Sequence, residues 1–571
     1  MKGYLENYKL WLDSDVLTED EKKELRDIAD NDDEIKIRFS SGLTFGTAGL
    51  RGTMKVGMNA MNVYTVAQAT QGLANLIHKE GRAADGVTIA YDCRNNSELF
   101  AKVSAEVLAA SGIPVYIFDA LRPTPELSFA LRELGCVAGI NITASHNPKQ
   151  YNGYKAYWED GAQLPPEHAN TVYEEICKTD IFTDVKRVDF DSAVDDGKIK
   201  LLGCEMDEKY LACVQEQAVN PNAVKAVADE LKIVYSPLHG TGHKLIPEIF
   251  ERIGLKHLYK VEEQFIIDGN FPTVEKPNPE YADVFKLGIG IADRVGSNLV
   301  IATDPDADRV GVVARTKDGS FRTITGNQMG ALLIDYIITA YEETGTMPQK
   351  PYVVKSLVSS ELATKICDAH GVEMFNVLTG FKFIGEVIKN HEASGEGSYI
   401  FGFEESYGYL KGTYARDKDA VVASMLICEM TAYYHAKNMT LCDALEKLYE
   451  KYGYCLEANE EIYMEGVDGP ARMAALLDGM RQNIPNELGG VKVVTFGDYN
   501  KQTFTSVATG ETSSTGLPRS NMLSFKLENG DVVIVRPSGT EPKVKFYFMV
   551  SAADRDEALA NIEGYKKTLN I

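Results

Sequence analysis

The sequence of 571 residues has few cysteines and no long apolar run. Its nine cysteines are an odd number without a C-x-x-C pair, a usage typical of free thiols in a reducing compartment. No apolar stretch approaches the ~18 residues of a membrane-spanning helix, since even residues 331–341 are interrupted by Asp335. Residues 1–6 do not resemble a signal peptide. We therefore expect a cytoplasmic protein that is neither exported nor inserted in a membrane.

Positive charge is also scarce. Lys and Arg number 59 against 83 Asp and Glu, which gives a formal net charge of −24. Nucleic acids require a basic surface, so we expect no nucleic-acid partner. The sequence also lacks the phosphate-binding pattern G-x-x-x-x-G-K-[ST], so an ATP-dependent kinase is not expected. An anionic substrate would have to be attracted by a local group of cations against the overall field.

The rest of the composition, 44% hydrophobic and 25% charged residues, is that of a globular chain. At about 150 residues per domain, the length corresponds to roughly four domains. Thr18 and Glu21 form a capping box that predicts a helix near the N-terminus. Further on, strand-like runs at residues 87–91 and 233–235 each precede a polar loop, and their recurrence indicates α/β layers. Ligands of such sheets bind beyond the carboxyl ends of the strands.

The most informative of these loops contains Ser145. Residues 143–155 read TASHNPKQYNGYK, directly after the apolar run 137–142. Turn-forming residues around Ser145 disfavour a helix and leave its hydroxyl available, while Lys155 supplies a cation on the same segment. The pattern predicts a serine that is presented to a ligand.

A second loop predicts a metal site. Asp304, Asp306 and Asp308 follow the apolar run 299–302, and carboxylates at alternate positions can converge on Mg²⁺, which prefers oxygen ligands. A calcium loop of the EF-hand type would need Gly and Glu where this chain has Arg309 and Arg315. A phosphatase with an aspartyl nucleophile also uses a D-x-D pattern after a strand, but Asp308 disfavours that interpretation.

Three further loops accompany these two. The first, GFEESYG, occupies residues 402–408; the second, RPSGTEPK, occupies residues 536–543; the third, GTAGLRG, occupies residues 46–52. Arg536 in the second loop can bind a phosphate with two parallel hydrogen bonds. The glycines of the third loop allow close approach of the backbone, and Arg51 adds a positive charge there.

Taken together, the five loops resemble those of the α-D-phosphohexomutase superfamily, which includes phosphoglucomutases and phosphomannomutases. The superfamily carries a T-[AG]-S-H-N-P-x-x-[YW]-N-G-x-K serine loop, a D-x-D-x-D-R metal loop and a G-E-x-S sugar loop, in which Phe403 here takes the place of a frequent Gly. The resemblance implies an α/β fold with four domains around a central cleft. Three of these would be related α/β domains with mixed sheets, and the last a smaller C-terminal α+β domain.

The same resemblance implies how the chain is divided. The expected parts are a phosphoserine domain at residues 1–205, a metal-binding domain at 206–325, a sugar-binding domain at 326–456 and a phosphate-binding domain at 457–571. We expect the charged residues 178–200 to lead out of the first domain and residues 509–516 to form an exposed polar loop. The polar residues 457–466 would be a hinge that lets the last domain close over the cleft.

The implied activity is that of a Mg²⁺-dependent mutase that interconverts glucose 1-phosphate and glucose 6-phosphate. Phosphoserine 145 would exchange its phosphoryl group with the sugar through glucose 1,6-bisphosphate, which also serves as activator, with one Mg²⁺ per chain. Mutases of mannose or pentose phosphates, or a synthase of the bisphosphate, are alternatives within the family. A sugar-phosphate phosphatase and a catalytically silent sugar-phosphate sensor are alternatives outside it. The partners would be small sugar phosphates, and the chain a monomer or weak homodimer.

The resemblance also assigns residues to these roles. The catalytic residues implied are Ser145, Arg51, Lys155 and His146, and the metal ligands are Ser145, Asp304, Asp306 and Asp308. The implied substrate-binding residues are Arg309, Thr379, Gly380, Lys382, Glu404, Ser406, Arg536, Ser538, Gly539 and Thr540. In the family either Arg51 or Lys155 would help to move the proton, and Glu404 with Ser406 would hold sugar hydroxyls.

Two histidine patterns carry less weight. Ser145 and His146 are adjacent, and neighbouring side chains usually point apart, so we do not expect a nucleophile–base pair of the serine-hydrolase type. His239 and His243 are four residues apart in a glycine-containing turn. They lack the acidic partner of a zinc protease, which favours a structural role.

Overall fold

The computed structural model describes residues 3–46, 49–464, 468–538 and 543–571, and within them the strands form four sheets. Contacts divide the chain into two compact units. The first unit contains residues 1–323, 388–390 and 408–438, and the second contains residues 324–387, 391–407 and 439–571. All nine cysteines lie in the described ranges and carry free thiols. None of the helices described is both long enough and apolar enough to cross a membrane.

Three helices begin the first unit, as the capping box predicts. They are α1 (Gly3–Leu12), α2 (Glu19–Asp27) and α3 (Asp32–Phe39). The Thr18 hydroxyl accepts from the Glu21 amide, and the Glu21 carboxylate accepts from the Thr18 amide. Trp11 and Phe39 bury their rings edge to face in an apolar cluster that also contains Val56. The helices thereby cover the segment that follows the first strand.

The first sheet has the order β1-β5-β4-β2-β3-β6. Its strands are β1 (Gly49–Thr53), β2 (Val87–Tyr91), β3 (Val115–Phe118), β4 (Ala138–Ile142), β5 (Tyr151–Trp158) and β6 (Ile199–Leu202). Its helices are α4 (Val63–Lys79), α5 (Ser97–Ala110), α6 (Thr124–Glu133), α7 (Pro166–Lys178) and α8 (Phe190–Asp195), with a 3₁₀ turn at Ala83–Asp85. The middle strands run parallel, whereas β5 is antiparallel to both β4 and β1. Every residue of β2 and β4 is buried, so their carboxyl ends present polar loops from a rigid base.

The second sheet, also in the first unit, has the order β11-β10-β9-β7-β8. Its strands are β7 (Lys232–Ser236), β8 (His257–Lys260), β9 (Leu299–Thr303), β10 (Val310–Arg315) and β11 (Phe321–Ile324). The helices are α9 (Cys204–Gln215), α10 (Asn222–Ala226), α11 (Gly242–Arg252), α12 (Glu262–Phe265) and α13 (Lys286–Val295), with a 3₁₀ turn at Ala282–Phe285. β9 is parallel to β7 and antiparallel to β10, so residues 304–309 form the turn of a hairpin.

A later segment of the chain also belongs to the first unit. It contains β15 (Gly408–Leu410) and α17 (Ala420–His435). Nearly all of the 16 residues of α17 are buried, and the helix packs against α10, α11 and β10. The carboxylate of Asp419 caps its N-terminus by accepting from the amides of Val421 and Val422.

The second unit contains the other two sheets. The third sheet includes β13 (Glu373–Val377), β12 (Pro351–Ser356) and β14 (Ser398–Glu404), all parallel, with helices α14 (Gly326–Thr344), α15 (Glu361–His370), α16 (Phe381–Ser394) and α18 (Leu441–Tyr452). The strands of the fourth sheet are β16 (Tyr454–Tyr463), β17 (Glu487–Leu488), β18 (Val491–Asp498), β19 (Thr503–Ser506), β20 (Thr512–Ser514), β21 (Leu523–Leu527), β22 (Val532–Pro537) and β23 (Lys543–Ala552). They are paired antiparallel and covered by α19 (Gly469–Gln482) and α20 (Arg555–Leu569).

Phe403, which replaces a frequent Gly in the sugar loop, has a specific partner. Its ring is fully buried in β14, and Gly330 of α14 lies against it. A Cβ added at Gly330 would stand 2.4 Å from two carbons of the ring. The absence of a side chain at position 330 therefore makes room for the aromatic ring at position 403.

The residues of the expected hinge, 457–466, continue a paired strand where the structure describes them. Residues up to Tyr463 belong to β16, which pairs with β23 along its whole length. Glu457 on this strand is hydrogen-bonded by the Ser360 hydroxyl. Val358 and Leu378 also pack in one apolar cluster with Ile534 and Tyr547. The last two sheets thus form one compact unit, because buried apolar and polar contacts join them.

Two smaller expectations also need correction. Residues 178–200 do not simply leave the first domain, because they contain α8 and lead into β6, which adds to the first sheet beside β3. Residues 509–516 are exposed as expected, but they include β20, which pairs with β19. Polar composition predicts that a segment is exposed, but it does not predict whether the segment forms a strand at the edge of a sheet.

We expect Gly330→Ala to destabilise the protein. Overpacking against the Phe403 ring should cost about 1–3 kcal/mol of the free energy of unfolding, more than the helix-propensity gain of about 1 kcal/mol. Urea unfolding measures the difference. Gly479→Ala in α19 is the matched control, because no atom lies within 4 Å of the added Cβ, and it should stabilise slightly. A Gly330→Ala variant as stable as the parent would contradict this packing.

Candidate active site

Ser145 lies just beyond the carboxyl end of β4, in a backbone conformation that is rare for a residue with a side chain. Its φ is 52° and its side chain is 3% exposed; the left-handed region costs a non-glycine residue about 1–2 kcal/mol. The Ser145 Oγ donates to Asp304 Oδ2 at 2.8 Å. The turn therefore directs the serine hydroxyl at the metal loop that the sequence predicts.

The expectation that Ser145 and His146 point apart is wrong. The left-handed turn at Ser145 places its Oγ 3.1 Å from His146 Nδ1. Burial and the cations Arg309 and Arg51 lower the pKa of His146 well below its usual range. The imidazole is therefore held in its neutral form, which can share a hydrogen bond with the serine but binds a proton weakly.

The aspartate loop converges as predicted. Asp304, Asp306 and Asp308 are buried in the hairpin turn between β9 and β10, and one carboxylate oxygen from each lies within 4.8 Å of the others. Ala307 takes a left-handed φ of 49°, which folds the loop back on itself. Among the described residues, no hydrogen-bond partner reaches Asp306 Oδ1 or Asp308 Oδ1. Buried carboxylate oxygens without donors are the arrangement that a divalent cation satisfies.

Two lysines partly neutralise the negative charge of this loop. Lys155 Nζ on β5 lies 2.7 Å from Asp306 Oδ2 and 3.3 Å from Asp308 Oδ2. Lys418 Nζ lies 3.3 Å from Asp308 Oδ2. Burial acts to raise the pKa of Asp308, but Lys418, Lys155 and Arg309 outweigh it and lower that pKa. Burial and the other two aspartates instead raise the pKa of Asp304 well above its usual range. The positive charge near Asp304 is therefore too small to compensate its negative charge.

Lys418 was missed in the sequence analysis. It lies in the run Arg416, Asp417, Lys418 and Asp419, which reads as a solvated surface segment before a helix. All four residues are buried instead, and Lys418 Nζ also pairs with Asp417 Oδ1 at 2.9 Å. The signal that was available is the position of the run between apolar β15 and apolar α17, where a solvated turn is not expected.

Arg51 and Arg309 contact the serine loop and the aspartate loop, respectively. Arg51 on β1 stands opposite Gly153 of β5, and its Nη1 donates to Asn147 Oδ1 of the serine loop at 3.2 Å. Arg309 Nη1 pairs with Glu280 Oε1 at 2.7 Å, and the Arg309 amide donates to Asp304 Oδ1. Residues 47 and 48 of the Arg51 motif lie outside the described residues.

The second unit brings together another predicted group. Glu404 is the last residue of β14, and its Oε1 accepts from the Gly380 amide at 2.6 Å. Gly380 has a φ of 123°, a conformation that favours glycine, and precedes α16. Lys382 follows in the first turn of α16, where burial lowers its pKa. The Thr379 hydroxyl is buried beside them, with no hydrogen-bond partner in the described part of the chain.

Glu405, between Glu404 and Ser406, is a titratable group that the sequence analysis overlooked. Its Oε2 accepts from the Ser356 hydroxyl at 2.9 Å. Burial and Glu404 raise the pKa of Glu405 to about 7, although Arg536 acts in the opposite direction. Arg536 on β22 is therefore within electrostatic reach of the sugar loop. The G-E-x-S pattern leaves position 405 unspecified, so nothing in it marks the second Glu.

The remaining predicted residues follow β22 in the sequence. The Ser538 amide donates to the Lys543 carbonyl of β23 at 2.8 Å. Gly539 and Thr540 lie outside the described residues. Both His239 ring nitrogens contact protein oxygens, and His243 Nδ1 lies 3.2 Å from the Gly240 carbonyl oxygen. In the described residues, the group of three or more possible ligands suited to a metal is the three aspartates.

Chemically, the first unit places a hydroxyl, three carboxylates and several cations within hydrogen-bonding distance of one another. This combination suits phosphoryl transfer, which depends on positioning and charge neutralisation rather than on covalent chemistry by the protein. The second unit separately presents a carboxylate, hydroxyls and a guanidinium, which suit recognition of a sugar and a phosphate.

Comparisons with known proteins agree with this chemistry. The chain matches four families described as phosphoglucomutase/phosphomannomutase: α/β/α domain I at residues 42–181, domain II at 208–319, domain III at 325–452 and the C-terminal domain at 482–563. A phosphoglucomutase of Staphylococcus saprophyticus is 36% identical over 532 residues, which are 93% of this chain and 95% of that protein.

Two solved structures show the same fold. The phosphoprotein parafusin of Paramecium, a phosphoglucomutase in an open form, has a TM-score of 0.69 at 18% identity, covering 93% of this chain and 95% of that one. An N-acetylphosphoglucosamine mutase of Aspergillus fumigatus, solved with GlcNAc-6P and magnesium, has a TM-score of 0.51 at 14% identity, covering 93% and 95%. The predicted fold class is confirmed, with three α/β domains that contain mixed sheets and a smaller C-terminal domain with an antiparallel sheet.

The raised pKa of Glu405 should make stability depend on pH. With a pKa of about 7 in the folded protein and about 4.3 in the unfolded chain, the folded state binds the proton more tightly. The free energy of unfolding should therefore fall as pH rises through this interval. Glu405→Gln should remove this fall and gain about 1–3 kcal/mol relative to the parent between pH 5 and pH 8.

Urea unfolding at the two pH values measures this change. Glu396→Gln is the control, because residue 396 is exposed and its substitution should shift stability equally at both. A difference between parent and Glu405→Gln that stays constant with pH would contradict the assignment.

Proposed function

Because the chain belongs to the phosphoglucomutase/phosphomannomutase family, we propose that it interconverts glucose 1-phosphate and glucose 6-phosphate through a phosphoserine at position 145. Family membership makes it an isomerase that moves a phosphoryl group on a sugar phosphate. One observation carries the assignment of Ser145: its Oγ lies 2.8 Å from Asp304 Oδ2, at the buried aspartates and the two lysines that pair with them.

The chemistry proceeds in two transfers. The free hydroxyl of the sugar attacks phosphoserine 145, so that the bond between phosphorus and Oγ breaks and a sugar 1,6-bisphosphate forms. The bisphosphate turns roughly end for end, and its other phosphate returns to Ser145 Oγ. The proton lost by the attacking hydroxyl is moved by Arg51 or Lys155, on adjacent strands. The freed Ser145 hydroxyl donates to Asp304, the contact seen in this structure.

The aspartates fit Mg²⁺. Asp304, Asp306 and Asp308 offer hard oxygen ligands, two of them without donors among the described residues, and the similar mutase of Aspergillus fumigatus was solved with magnesium. When bound, one Mg²⁺ would neutralise charge on the oxygens of the transferred phosphoryl group. Lys155 and Lys418 bind Oδ2 of Asp306 and Asp308, and the Oδ1 atoms of these two aspartates stay available to the metal.

The second unit would recognise the rest of the substrate. Glu404 and Ser406 hold sugar hydroxyls shared by both orientations of the bisphosphate, and Arg536 binds the phosphate that is not being transferred. The other assigned contacts are Arg309, Thr379, Gly380, Lys382, Ser538, Gly539 and Thr540. The hydrogen bond from the Gly380 amide to the Glu404 carboxylate supports assigning both residues to one site, because it fixes that carboxylate at the end of β14.

Further parts of the proposal concern the chain as a whole. We place the domain boundaries after residues 205, 325 and 456, although the first falls inside α9 and the last inside β16. We assign the protein to the cytoplasm, as a monomer or weak homodimer, with glucose 1,6-bisphosphate as activator. Mannose and pentose phosphates, or synthesis of the bisphosphate, are the alternatives within the family. A phosphatase would release phosphate to water, and a sensor would carry no phosphoserine.

Ser145→Ala should abolish turnover while the fold persists, because the side chain serves the reaction rather than the core. We expect a loss of at least ~10³-fold, as for removal of a covalent nucleophile. Coupled assays on the 1-phosphates of glucose, mannose and ribose measure the loss and rank the sugars, and mass spectrometry locates the phosphate. Ser111→Ala is the control. Retention of a tenth of the activity by Ser145→Ala would exclude the phosphoserine mechanism.

Metal dependence should trace to the aspartate loop. Chelation should silence the enzyme and Mg²⁺ restore it. Asp306→Asn removes one negative ligand, so the Mg²⁺ concentration for half-maximal activity should rise by at least about 10-fold, the lower limit found for outer-shell partners. Asp318→Asn, in an exposed turn, is the control and should leave that concentration unchanged. Full activity in excess chelator would show that the reaction needs no metal.

A further inference from the structure

The backbone of Ser145 is held by an arginine from a neighbouring strand. The side chain of Arg94, which follows β2, is completely buried. Its Nη2 donates to the carbonyls of Ser145 and Asn147, both at 2.5 Å. Its Nη1 donates to the carbonyls of Pro148 and Tyr151, both at 3.0 Å. One guanidinium therefore binds four carbonyl groups of the serine loop.

The amide side of Ser145 is held by the partner of this arginine. The Ser145 amide donates to the Thr143 hydroxyl at 2.8 Å, and that hydroxyl donates to Asp92 Oδ2 at 2.6 Å. Arg94 Nε lies 3.3 Å from the same Asp92 oxygen. The ion pair of Asp92 and Arg94 thus fixes both the N–H and the C=O of Ser145.

The guanidinium of Arg94 also contacts an aromatic ring. Arg94 Cζ lies 5.1 Å from the centre of the Phe271 ring, and the neighbouring Asn95 amide group donates to Asn270 Oδ1 at 3.1 Å. A side chain at Gly269 would collide with the backbone of residues 93–95. Close packing from the second sheet's domain therefore leaves Arg94 little freedom to change its position.

We propose that Arg94 is a positioning residue for phosphoryl transfer, which holds Ser145 in its left-handed conformation so that Oγ faces Asp304. The inference rests on the proposed function of Ser145. A left-handed non-glycine residue persists only where its surroundings fix it, and the bonds from Arg94 and Thr143 are what fix it here. A small misplacement of a nucleophile is costly, since about 1 Å can lower the rate about 100-fold.

Arg94→Lys tests this directly. Lysine keeps the positive charge but replaces the planar fork with a single donor group, so it cannot serve four carbonyls. We expect kcat to fall about 100-fold, with KM and the Mg²⁺ requirement changed less than about twofold. In the phosphorylated variant, the rate of phosphoserine hydrolysis should also be higher, relative to the rate of transfer to the sugar, than in the parent. Arg38→Lys, at a buried arginine of the N-terminal helices, is the control and should lower stability without lowering kcat.

A second pair of variants keeps the test valid if Arg94→Lys does not fold. Thr143→Ser retains the hydroxyl between Asp92 and the Ser145 amide and should stay within a few-fold of the parent kcat, whereas Thr143→Val should lose kcat as Arg94→Lys does. A wild-type kcat in Arg94→Lys or Thr143→Val, or a loss confined to KM, would overturn the proposal. An active Ser145→Ala variant would contradict the proposed function itself. An inactive Ser145→Ala variant together with fully active Arg94→Lys and Thr143→Val variants would contradict only the positioning role of Arg94.

Discussion

Three carboxylates are buried within 4.8 Å of one another in the first unit. The other contacts of the site depend on the need to compensate their negative charge. Such a group is unfavourable without nearby positive charge, and the chain supplies that charge from distant parts of its sequence. Lys155 comes from a strand of the first sheet and Lys418 from the segment before α17. The serine hydroxyl meets the same carboxylates. The charge balance of one turn thus connects two sheets and a late helix.

The elements that the sequence predicted well are those whose signal is local. The strand before Ser145, the strand before Asp304 and the capping box at Thr18 each depend on a few consecutive residues. The convergence of the aspartates could also be predicted, because alternate residues of a tight turn cannot lie far apart. Four domains and their order followed from the resemblance of the loops, since the residues show no visible repeat.

What could not be predicted depends on contacts between distant residues. Arg94 reads as one charged residue in a polar loop, and only the fold shows its guanidinium among four carbonyls. Lys418 gave no signal, because a run of charged residues is usually a solvated surface, whereas residues 416–419 are all buried. The contact between Ser145 and His146 depends on one left-handed residue. Residues 457–463, expected to be a polar linker, are another case, because they form a strand paired along its length.

The position of α17 in the chain has a consequence for synthesis. The aspartate turn is complete at residue 308, but Lys418 and the buried helix that packs on α10, α11 and β10 follow only later. At about 5–20 residues per second, the ribosome needs about 5 to 20 seconds to make that interval. Until then the first unit exposes the apolar surface that α17 covers, and its acidic turn lacks one of its cations. The N-terminal half of this protein therefore cannot finish folding before its C-terminal half has begun to emerge.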